Sequence, residues 1–85
     1  MPQEVHLMNI PVDLYETNKF GEVKRYKATI DEVFMDQDRN PHQIVISWNG
    51  KSRRIEPRYY YGTIIFRTRT HSYEGFVNDA EKPSL

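Results

Sequence analysis

The dipeptide Asn49-Gly50 stands between two runs of extended character, QIVISW before it and KSRRIE after it. A two-residue link between paired strands needs positive φ at both positions, which glycine adopts freely and asparagine tolerates better than most residues. The dipeptide therefore predicts a tight hairpin, with residues 51–56 folding back on residues 43–48. Ile44, Ile46 and Trp48 then share one face of the first arm, as period-two alternation requires.

The same alternation governs most of the chain. His6, Met8, Ile10, Val12 and Leu14 fall on one face of an extended segment over residues 5–15, and Pro11 within it, lacking an N–H, points to a sheet edge or a bulge. Residues 16–21 are rich in turn formers and lead to a second extended run over 23–35, in which Tyr26, Ala28 and Ile30 share a face. MDQDRNPH is a polar connection, Pro57 ends the strand that follows the hairpin, and residues 63–70 alternate Ile64, Phe66 and Thr68 against Ile65, Arg67 and Arg69. No segment has a convincing helical period. The expected fold is all-β and mainly antiparallel: a small SH3-like or Sm-like barrel of about five strands, with room for one short helical turn, since closing a sheet removes its unpaired edges. The expected core includes Ile30, Ile44, Ile46, Trp48 and Ile64.

Eighty-five residues allow one small core and little room for a deep catalytic cavity, so residues 1–78 read as a single domain and 79–85 as a frayed tail. There is no cysteine, which removes disulfides and thiolate metal sites and suits a reducing cytoplasm. No apolar run is long enough to cross a bilayer as a helix, and no signal peptide is evident, so the expected location is cytoplasmic with no membrane partner. His6, His42 and His71 are widely separated, the serines lie in no nucleophile elbow, and the acids of DQD lack the further oxygen ligands a calcium loop needs. The chain is expected to be no enzyme and to use no cofactor or metal.

Acids and bases balance at twelve each, but unevenly along the chain. Residues 1–42 carry five bases against eight acids, and residues 43–85 carry seven against four. The imbalance concentrates in KSRRIEPRYYYGTIIFRTRT, where Lys51, Arg53, Arg54, Arg58, Arg67 and Arg69 face one acid, Glu56, and are interleaved with Tyr59, Tyr60, Tyr61 and Phe66. Guanidinium groups bind phosphates bidentately and aromatic faces stack on unpaired bases, so the mixture suits single-stranded nucleic acid or a nucleotide-like anion. Lys51, Arg53, Arg54, Arg58, Tyr60, Arg67 and Arg69 are the candidate contacts. Strand alternation also divides Lys51 and Arg53 from Arg54, and the competing reading is a solvated hairpin face.

Arg53, Arg54, Ile55, Glu56 and Pro57, followed by a short turn and the apolar Ile64, Ile65 and Phe66, resemble the WYL domain, a small Sm-like or SH3-like β-barrel of bacterial regulators and phage-defence accessory proteins. The resemblance covers about residues 43–78, although the Trp-Tyr-Leu tripeptide itself does not occur. It implies a sensor or binder of nucleic acid or nucleotide-like ligands, with Arg53, Arg54 and Arg67 as anion contacts. Two other partners fit a small charged β-domain: a larger protein on which it docks as an accessory subunit or inhibitor, for example one encoded by a phage or mobile element, and further copies of itself.

Overall fold

The computed structural model describes residues 4–60 and 63–77, with Tyr59 and Tyr60 described through their backbone only. Seven strands form one antiparallel sheet: β1 (Val5–Asn18), β2 (Val23–Met35), β3 (Pro41–Trp48), β4 (Lys51–Ile55), β5 (Arg58–Tyr60), β6 (Thr63–Arg67) and β7 (His71–Val77), in spatial order β4-β3-β2-β1-β7-β6-β5. The all-β antiparallel architecture matches the alternation in the sequence. Among the described residues there is no helix. Two strands beyond the expected five come from the short β5 and from β7, whose Glu74 and Gly75 obscure its pattern.

The Asn49-Gly50 turn forms as its chemistry demands, with φ values of 49° and 72°, and Trp48 pairs directly with Lys51. At the β1–β2 reversal, β1 runs three residues further than the turn formers suggest. The reversal is held by Asn18, whose side-chain oxygen accepts from the N–H groups of Phe20 at 2.9 Å and Glu22 at 3.0 Å. The expected strand over 63–70 stops at Arg67 because Thr68 turns the chain. Its hydroxyl accepts from the N–H of His71 at 3.2 Å.

β1 is central: it pairs with β2 from Val5↔Phe34 to Thr17↔Val23 and with β7 from Val12↔Val77 to Asn18↔His71. Pro11 lies just before the first residue paired to β7, so its missing N–H leaves no gap in that ladder. Register slips between Leu7 and Ile10 on β1, and between Ile30 and Glu32 on β2, where Asp31 is an extra residue against β3. Such bulges bend strands and increase twist. Asp31 accepts a short hydrogen bond from the hydroxyl of Ser47, which ties the bulge to β3.

The bends curl the sheet about its own inner face. Val12, Leu14, Ala28, Ile30, Ile44, Ile46 and Ile64 are buried there, and Trp48 of β3 reaches Phe66 of β6 at 6.0 Å and Tyr73 of β7 at 5.3 Å between ring centroids. All five expected core residues are buried. Gly75 lets β7 approach so closely that a Cβ placed on it would lie 2.8 Å from Ile64 Cγ1 and 2.9 Å from Val12 Cγ1. The two outer strands of the sheet, β4 and β5, are consecutive in sequence and joined only by Glu56 and the buried Pro57. Such a link spans at most about 10 Å, so the sheet's opposite edges meet at this corner.

Candidate nucleic-acid interface

The corner between β4 and β5 decides where the basic cluster points. Directly paired residues project from the same side of a sheet, so Lys51, Arg53 and Ile55, opposite Trp48, Ile46 and Ile44, lie in the row of the inner face. Arg53 comes close enough to Tyr73 for its charge to act on the phenol. Arg54 projects outward and is already engaged: its guanidinium lies 3.8 Å from the centre of the Phe34 ring, and its Nε donates to Gln43 Oε1 at 2.7 Å. The three β4 bases therefore do not form one surface.

Arg58 and Arg67 do converge. Arg58 pairs with Ile65 on β6, two residues before Arg67, and all three belong to the outer row. Together with Ile55, Glu56 and Phe66 they line a depression of about 480 Å³ at the corner where the sheet edges meet. Ile65, 41% exposed, stands directly opposite Arg58 and two residues before Arg67 on this face. Among the described residues neither Arg58 nor Arg67 is ion-paired, and Glu56 at the rim lies 3.8 Å from His42 instead. Arg67 also borders a second hollow with Arg69, Lys19 and His71, at the end of the sheet formed by the β1–β2 and β6–β7 turns. Tyr60, the candidate stacking residue, lies outside the described side chains.

The inner face carries a polar group that sequence alone did not single out. Tyr73 donates its hydroxyl to Glu16 Oε2 at 2.6 Å, and His71 Nε2 stands 4.0 Å from Glu16 Oε1. Burial, and then the bond to Glu16, push the Tyr73 phenol well above the usual tyrosine range, with Arg53 opposing them. Glu16 and Tyr73 are 57 residues apart, and only the β1–β7 register makes them neighbours. The indole N–H of Trp48 is buried beside these rings without a hydrogen-bond partner among the described residues.

On the outer face, Tyr15 and Phe76 meet edge to face at 5.6 Å and form, with Asp13, Thr17, Val23 and Glu74, a groove of about 560 Å³. Its charged walls are acidic, and Asp13 is shared with Arg25 at 3.1 Å. Among the described residues no three His, Cys, Asp or Glu side chains group closely enough to hold a metal ion, and no helix is long and apolar enough to cross a membrane. Comparison with protein-family models, with curated proteins and with solved structures found no match for this chain.

Proposed function

We propose that the chain is a small non-enzymatic binding module of SH3-like or Sm-like barrel type, and that it holds single-stranded nucleic acid at the depression between β5 and β6. The observation that carries this reading is the convergence of Arg58 and Arg67, from two strands, on one hollow beside exposed Ile65, with no ion-pair partner for either among the described residues. Guanidinium groups two strand positions apart suit successive backbone phosphates, and Arg69 beside the β6–β7 turn extends the basic track by one contact. Arg54 has a structural role in this reading, and Lys51 and Arg53 lie off the track.

Three phosphate contacts give a logarithmic salt dependence with slope of about −2, at roughly −0.7 per contact on a single strand. Fluorescence anisotropy with a labelled single-stranded oligonucleotide at several salt concentrations measures it. Replacing Arg58 and Arg67 together by alanine should flatten the slope by about one unit or more, whereas Tyr60→Ala should weaken binding by roughly 1–3 kcal/mol at nearly constant slope, because stacking releases no counterions. Absence of binding at low salt by micromolar protein that sediments as a monomer refutes the reading. The exposed apolar side chains of the outer face favour a second reading, in which the module docks on protein.

A further inference from the structure

Across the outer face, directly opposed residues on β1, β7, β6 and β5 run Tyr15, Glu74, Ile65, Arg58. The β1–β7 side carries Asp13 and Glu74 and the β5–β6 side Arg58 and Arg67, with exposed Ile65, at 41%, in this row and exposed Phe76, at 42%, in the next one. Glu74 and Arg58 are two strands apart, about 10 Å between backbones, and among the described residues neither is ion-paired. Ile65 lies midway between them.

We infer that this bipolar face pairs with the same face of a second copy. A two-fold axis along β6, over Ile65, sets Glu74 of each copy against Arg58 of the other and buries Ile65 against its counterpart. Two complementary ion pairs then flank an apolar centre. The axis also brings the two Arg67 side chains together at one end, where solvent and salt screen them. A formal net charge of zero leaves no long-range repulsion between copies. A standard interface takes about 800 Å² from each partner, about an eighth of this chain's 6675 Å². Because Arg58 serves both contacts, pairing withholds the anion site. That regulatory consequence rests on the proposed nucleic-acid reading, whereas the pairing itself does not.

Sedimentation velocity without nucleic acid tests the pairing. The wild-type chain should dimerise at micromolar concentrations in low salt. Glu74→Arg and Arg58→Glu, both at exposed positions, should each weaken the dimer about a hundredfold, because each sets like charges in contact twice. An equimolar mixture of the two variants should dimerise again, since the heterodimer restores both opposite-charge contacts. A wild-type chain that stays monomeric at about 100 times the concentration giving ordinary micromolar association, or a mixture that stays monomeric while both variants keep the wild-type circular dichroism spectrum, overturns the inference. Oligonucleotide anisotropy at micromolar protein with Glu74→Arg, which cannot pair but keeps Arg58, Arg67 and Arg69, reads the anion site alone, so either idea can fail without the other.

Discussion

At the scale of single residues, Gly75 and Tyr73 set the closest tolerances. The close approach of Ile64 and Val12 to Gly75 leaves no space for even a methyl group, although its backbone is ordinary extended strand. Gly75→Ala should destabilise the fold by about 1–3 kcal/mol through overpacking, measured by chemical denaturation. Tyr73 makes a different demand. Its phenol titrates higher in the folded chain than the value near 10 expected when unfolded, so its contribution to stability is complete below about pH 10 and is lost as pH rises beyond that. Ultraviolet difference spectra should show this tyrosine ionising only together with alkaline unfolding, and Tyr73→Phe should remove that late component.

At the scale of elements, the β3–β4 hairpin separates backbone strain from packing. Nothing lies within 4 Å of a Cβ built on Gly50, whose φ is +72°, so any cost of a side chain there is conformational. Gly50→Val should lower stability by about 1–3 kcal/mol while Gly50→Asn costs less, a ranking that melting temperatures can check. This hairpin was legible in the sequence because two adjacent positions needed a backbone conformation few residues accept. β7 was not, because its inner row of Tyr73, Gly75 and Val77 includes a residue chosen for closeness rather than for hydrophobicity. Pro11 points in sequence to a sheet edge or a bulge, and β1 shows the bulge, between Leu7 and Ile10, while only its half before Val12 lacks β7 as a neighbour.

At the scale of the whole molecule, the candidate site shows how far local sequence reaches. The composition of residues 51–69 identifies the bases, but the sharp corner at Glu56-Pro57 decides their directions. It leaves Lys51 and Arg53 in the inner row, lets Arg54 pack on Phe34, and brings Arg58 beside Arg67. The acidic groove of Asp13 and Glu74 joins residues 61 positions apart, which no local pattern records. The position of β1 between β2 and β7 also has a consequence in time. β1 to β4 are successive hairpins that close short loops, but the other side of β1 stays open until β7 arrives, with Asn18 finding His71 and Val12 finding Val77. Closing so long a loop before its contacts reward it slows the search, and topologies of this kind fold in milliseconds to seconds rather than microseconds. In synthesis from N- to C-terminus, the central strand is the first of the seven described strands to be made and the last to be completed.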